Sequence, residues 1–236
     1  MIETLVDRGY IIPPDEISVY RGNAADFRAR YTEIASHGGK PWFGETSRDP
    51  IDFRQALTRY YISQRDPTRC CFVYFAVPEA KKGAREEKGR ISLDVIKIFL
   101  ADHLKLKERF TTLESIFIAP GTKLGSPAAT AAIDAVPLTT LLFDYECIAN
   151  PTRNVLTGLH VPLTDAEKKA YLEESKATTE QQKGLVINDP IVKNLGLSVG
   201  RVVRIYRVNH HQKIMTPFIV DYRAVKASQS TFGGKK

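Results

Sequence analysis

The stretch Cys71–Val77 reads Cys-Phe-Val-Tyr-Phe-Ala-Val, an unbroken apolar run rich in β-formers. A strand without polar alternation has no face to give to water, so it belongs in a sheet covered on both sides. Leu57–Ser63 precedes it with Thr58, Tyr60, Tyr61 and Ile62, and Gln64-Arg65-Asp66-Pro67-Thr68 between them has turn chemistry. Together they predict a β-hairpin.

Further elements alternate along the chain. The first segment reads as helical, with Leu5 and Val6 preceding a stop at Gly9-Tyr10 and Pro13-Pro14 marking its exit. Ala24–Ser36 is expected to be a helix, with Phe27, Tyr31 and Ile34 on one side and His37-Gly38-Gly39 ending it. A polar loop through 41–50 carries the single tryptophan, Trp42. The run 81–90 is a charged loop, and Ile91–Phe99, with Val95, Ile96 and Ile98, is expected to be a strand. His103–Thr111 reads as helical, with Leu104 and Leu106 partly buried. Glu114–Ala119 is another apolar strand, and Ser126-Pro127 opens a helix to Ala135. Such alternation indicates an α/β layer architecture.

Asn150–Gly158 is the linker candidate. Beyond it, Thr164 and Glu167 have the spacing of a capping box for a helix reaching about Ser175. Asn188-Asp189-Pro190 caps a short helix that Gly196 stops, and two strands follow at Arg201–Val208 and Phe218–Val225. The end, 226–236, has the composition of a disordered tail.

The charge is uneven. Residues 160–236 hold 13 Lys and Arg against 7 Asp and Glu, whereas residues 1–159 hold 21 against 20. From Asn194 to Lys213 there are Arg201, Arg204, Arg207 and Lys213 and no acid. That stretch suits nucleic acid or an acidic protein face; a plain solubility role is the alternative. Three cysteines, Cys70, Cys71 and Cys147, with no Cys-x-x-Cys, suggest a reducing compartment and no structural zinc. Of the adjacent pair Cys70-Cys71, one is expected to pack inward. The start offers no secretory segment or span, so an intracellular soluble protein without membrane contact is expected.

Catalytic patterns are weak. Gly38-Gly39-Lys40 runs into Pro41, not the Ser or Thr of a phosphate-binding loop. Metal nucleases place an Asp upstream of Glu-x-Lys, so that two carboxylates hold the ion and the Lys steadies the attacking water. Asp66 precedes Glu86-Glu87-Lys88 here, but Asp66 reads as a turn residue and Glu86 and Lys88 lie in a charged run. Asp144 and Glu146 are two apart in an expected strand, so both face one side near Cys147. A solvent-facing edge is the plainer reading than a metal site. His210-His211 point oppositely if extended. No catalytic residue, metal or cofactor is expected, and the chain reads as a non-enzyme.

One ordered pattern spans the last third. It runs through Leu159-His160-Val161-Pro162-Leu163-Thr164, Glu167-Lys168-Lys169, Asn188-Asp189-Pro190, the stretch Leu195–Arg207, and Asp221-Tyr222-Arg223-Ala224-Val225. This resembles the assembly domain of the fifth subunit shared by eukaryotic nuclear DNA-directed RNA polymerases, a domain with a counterpart in the archaeal polymerase. More weakly, Asp7-Arg8-Gly9-Tyr10, Asp66-Pro67-Thr68 with Phe72-Val73-Tyr74-Phe75, Ile96–Phe99 and Ser115–Ala119 resemble the family's jaw domain. The jaw fold is similar to restriction-endonuclease-like domains without their activity, which accounts for the nuclease-like spacing.

The resemblance implies an α/β chain: a jaw domain, residues 1–155, with a mixed sheet flanked by helices, and a small α+β assembly domain, residues 156–225. It implies docking on the largest polymerase subunit among other polymerase subunits. It also implies a jaw beside downstream double-stranded DNA that is not read by sequence. No homo-oligomer is implied, and the setting is nuclear, or nucleolar for the ribosomal-RNA polymerase. His160, Asp189, Pro190, Gly196, Gly200, Arg201, Arg204, Arg207, Tyr222 and Arg223 are the partner-binding or framework candidates. For Gly196 and Gly200, turn geometry is the plain reading. Arg8, Arg48, Arg65 and Lys123 are the DNA-proximal candidates. Where the family has a Pro-Ser-Glu-Thr-Ala-Gly-like turn after the last strand Arg, this chain has Val208-Asn209-His210-His211-Gln212-Lys213. A divergent member is therefore expected, such as a duplicated copy dedicated to one polymerase class. A free-standing nucleic-acid-binding protein and a metal nuclease are the rival readings.

Overall fold

In the computed structural model, residues 1–78, 91–208 and 218–227 are described. The loop 81–90, the His210-His211 pair and most of the expected tail lie outside them. The chain divides into two compact units between Ala149 and Asn150.

The first unit is built on a four-stranded mixed sheet in the order β1-β2-β3-β4. The hairpin is β1 (Arg59–Ile62) antiparallel to β2 (Arg69–Phe75). Parallel neighbours follow, β3 (Thr112–Ala119) and β4 (Thr139–Phe143). Parallel pairing requires crossovers, supplied by α5 (Leu93–Lys107) and α6 (Pro127–Asp134). Before the sheet come α1 (Ile2–Asp7), α2 (Pro14–Arg21), α3 (Ala24–Ser36) and the single turn α4 (Phe53–Ala56).

The apolar run behaves as its composition requires. Cys70, Phe72 and Tyr74 face the larger core, with Phe99, Leu106, Phe117 and Ile133. Cys71 and Val73 face Leu5, Tyr10 and Ile12 on the other side. Both cysteines of the pair are thus fully buried, one per face, where a single inward thiol was expected. Burial pushes the Cys70 thiol up to about 12, and Cys71 further still. Trp42 also departs from expectation. Its loop folds into a 3-10 turn, Pro41–Phe43, that plants the indole in the larger core.

Two expectations are corrected here. Ile91–Phe99 is not a strand; it enters α5, whose Ser92 Oγ accepts the Val95 N–H. The buried positions Val95, Ile96, Phe99, His103 and Leu106 follow the helical three–four spacing across a longer window. The helix ends at Lys107, leaving Leu106 buried but Leu104 exposed. Nor do Asp144 and Glu146 share a strand face. They lie in a 3-10 turn, Asp144–Cys147. Asp144 takes both Arg54 guanidinium nitrogens at 2.7 and 2.9 Å, and Glu146 accepts the Phe143 N–H at 2.8 Å.

Under the larger core, His103 Nδ1 sits 2.9 Å from Ser115 Oγ, both buried. Burial, helped by Lys107, holds the imidazole below its ordinary pKa of 6.5. The unfolded chain therefore binds a proton first as pH falls. We expect stability to be level above pH ~6.5 and to decline below it. In His103→Gln, urea midpoints followed against pH should lose part of that decline.

The second unit carries its own four-stranded sheet, in the order β5-β7-β8-β6. The expected pair is there as β7 (Val202–Val208) antiparallel to β8 (Phe218–Lys226). Two short strands flank it, β5 (Leu159–Pro162) antiparallel to β7 and β6 (Gly184–Val186) parallel to β8. The module is therefore not two-stranded as read from sequence. The linker candidate Asn150–Gly158 begins where the two units divide and holds the 3-10 turns Pro151–Arg153 and Val155–Thr157. Helix α7 (Asp165–Ser175) starts with the full capping box between Thr164 and Glu167. Helix α8 (Pro190–Leu195) is capped by Asp189.

Candidate functional site

The second unit gathers the ten partner-binding candidates, and its geometry divides them. Asp189 Oδ1 accepts the Ile191 N–H at 2.8 Å, and Pro190 takes the first helical position. Gly196 ends α8 at φ 63°, and Gly200 stands at φ 87° in the turn into β7. The left-handed region favours glycine at both, so these four residues build the frame. His160 is half-buried, with Nδ1 3.1 Å from the Gly158 carbonyl; burial is the main cause holding its pKa below the ordinary value. Tyr222 stacks on Tyr171 at 4.1 Å, joining α7 to the sheet.

The arginines are mostly spoken for within the unit. Arg201 pairs with Asp165 at 2.6 Å and Arg204 with Glu167 at 3.4 Å, both in the first turn of α7. Carboxylates there also suit the helix dipole. Arg223 Nε donates to Asp221 at 3.0 Å. Arg207 is exposed and has no ion-pair partner among the described residues. Three of the four guanidiniums expected to await a partner therefore have a carboxylate within the unit, although the buried Arg204 Nε finds no hydrogen-bond acceptor.

What the sheet leaves open is apolar. In register, Leu159 lies opposite Tyr206, and Tyr206 opposite Val220, so the three form one row across β5, β7 and β8. Paired residues share a face. Leu159 is 62% and Val220 46% exposed, and the Arg204 guanidinium lies 5.7 Å from the centre of the Tyr206 ring. On the opposite face, Ile219, 46% exposed, is the register partner of Arg207. Sequence reading named neither Leu159, Tyr206 and Val220 as a site nor Ile219. The signal is apolar residues alternating with the buried ones, which acquires meaning only once strand register is known.

In the first unit, the DNA-proximal candidates also divide. Arg8 is corrected: its side chain is 2% exposed and pairs with Glu114 at 3.7 Å, so no phosphate can reach it. It also donates to Thr140 Oγ1 at 3.3 Å. Arg48, Arg65 and Lys123 are exposed in loops. Asp66 Oδ1 accepts both the N–H and the hydroxyl of Thr68, as a turn residue does, and those bonds hold its carboxyl below the usual range. Glu86, Glu87 and Lys88 lie outside the described residues. Among the described residues, no three His, Cys, Asp or Glu side chains converge as metal ligands. Among them, too, no helix is long and apolar enough to cross a membrane.

Comparison with known proteins gives this geometry its context. Residues 149–225 match the RNA polymerase Rpb5 C-terminal domain. The chain is 27% identical over 166 residues to a Dictyostelium discoideum protein, DNA-directed RNA polymerases I, II, and III subunit rpabc1. That match covers 69% of this chain and 77% of the relative. It is 25% identical over 210 residues to the Caenorhabditis elegans subunit RPABC1 of the same polymerases, covering 88% and 85%.

Proposed function

We propose, from a chain whose residues 149–225 belong to the Rpb5 C-terminal domain family, that this protein is a non-catalytic subunit of a multi-subunit DNA-directed RNA polymerase. The second unit docks on the largest subunit. The observation that carries the docking is the row Leu159–Tyr206–Val220, an apolar strip exposed at both ends on a sheet whose Arg201 and Arg204 already pair with helix α7. Burying such a strip is favourable, and Arg207 adds a cation for a carboxylate on the partner. Other polymerase subunits complete the assembly. The first unit acts as the jaw beside downstream duplex, with Arg48 and Lys123 available to phosphates without reading sequence. The chain works in the nucleus, in the nucleolus if it serves the ribosomal-RNA polymerase. Its distance from the shared subunits, at 25–27% identity, suits a copy dedicated to one polymerase class.

Affinity purification of the tagged chain at near-physiological salt, with mass spectrometry of what is retained, tests this. A stoichiometric multi-subunit polymerase is expected, its largest subunit naming the class. Val220→Asp should release that assembly while the variant still melts cooperatively. Recovery of the chain alone, or with nucleic acid only, would overturn the reading in favour of a free-standing binder.

A further inference from the structure

A second apolar surface lies in the first unit, on the side of the sheet that carries the larger core. The antiparallel bridge Tyr10↔Ser63 sets Ile11 opposite Ile62, and the Ile11 N–H donates to the Ile62 carbonyl at 2.9 Å. Ile62 and Tyr60 are two apart on β1, so they share a face. Tyr60 packs on Phe110 with ring centres 5.8 Å apart, and both rest on the larger core. The result is a continuous strip of Ile11, Ile62, Tyr60 and Phe110. Ile11 is 53% and Ile62 38% exposed.

Cations border this strip. Arg109 is exposed, and its guanidinium lies 5.7 Å from the Tyr60 ring centre. Its charge is also felt at the Cys70 thiol, the register partner of Ile62. Arg65 is exposed in the turn that follows Ile62. Neither arginine has an ion-pair partner among the described residues.

We infer that this strip is a docking surface for an acidic segment of another protein, one that sets apolar side chains between carboxylates. Aromatic and isoleucine side chains at the centre, with arginines at the rim, have the anatomy of a protein interface. Duplex DNA fits it less well. Phosphates would use the two arginines but gain nothing from two exposed isoleucines. Arg65 therefore serves the protein partner rather than the DNA-facing set. The inference rests on the subunit reading for its setting, because the partner is sought within the same assembly.

The test places the photoreactive residue p-benzoylphenylalanine at Ile62 in one full-length chain and at Val220 in another. Each is purified with its retained assembly, and duplex DNA is added before irradiation. The expected result is a cross-link from position 62 to a protein segment rich in Asp or Glu. Arg109→Glu should lower its yield roughly tenfold, with the thermal transition unchanged. Cross-linking at 62 to DNA alone would overturn the inference. So would a silent position 62 beside a position 220 that cross-links to the largest subunit, which leaves the subunit reading intact. If both positions are silent, the subunit reading falls and takes this inference with it.

Discussion

Glu114→Ala should destabilise the first unit by about 3–5 kcal/mol. Glu114 is buried and joins two cations, Arg8 at 3.7 Å and Arg69, which touches its other oxygen. Arg69 also donates to the Tyr10 hydroxyl at 3.3 Å, so the cluster ties α1 to β2 and β3. Arg69 is partly exposed and can turn to water after the loss. Arg8 cannot: at 2% exposure its guanidinium would lose the Glu114 carboxylate while staying out of water. A fall of roughly 10 °C in the melting temperature is expected for a unit of this size. The companion Arg8→Met with Glu114→Leu removes both charges and should recover most of the loss. If Glu114→Ala alone melts like the parent, the cluster contributes nothing and the argument fails.

Phe99→Ala should cost a similar amount, about 3–5 kcal/mol, by a different route. Phe99 is fully buried on the inner side of α5. Its ring lies parallel to Phe72 at 6.0 Å and edge-on to Phe117 at 5.1 Å, with Tyr74 at 5.4 Å. Truncation removes the transfer energy of the ring and leaves a cavity between α5, β2 and β3, because a close-packed core relaxes only in part. Phe99→Leu keeps most of that volume and should recover more than half of the loss. Urea unfolding checks both variants. An unchanged slope with a lower midpoint is the signature of lost native stability rather than of an altered denatured state.

The elements visible in the sequence are those whose cause is local. The run 71–77 declares a doubly covered strand, Thr164 and Glu167 an N-terminus, and Asp189-Pro190 another. Helix α5 misleads because Ile91–Phe99 alone is rich in β-branched residues. Its helical period emerges only when His103 and Leu106 are included. Helix α2 hides behind Pro13-Pro14, which reads as an exit, whereas Pro14 is its first residue. Strands β5 and β6 are four and three residues long, too short for a pattern.

The site is less legible than the fold. Arg201 and Arg204 look free in sequence because their carboxylates lie 36 and 37 residues upstream. Arg8 follows a helix and precedes a glycine, a position that reads as exposed. Its burial depends on β3 and β4, which are remote in sequence. The row Leu159–Tyr206–Val220 exists only in the pairing of three strands.

Cys70 and Cys71 are neighbours in the chain yet sit in different layers of the first unit. Burial raises both thiols so far that almost no thiolate is present at neutral pH. Each can be labelled only after its own layer lifts away. The pair is thus a built-in two-channel clock. Alkylation at residue 70 times the departure of α5 and α6, and alkylation at residue 71 times the departure of α1. Equal rates would mean that the sheet loses both coverings in one cooperative opening. Unequal rates would name the covering that leaves first.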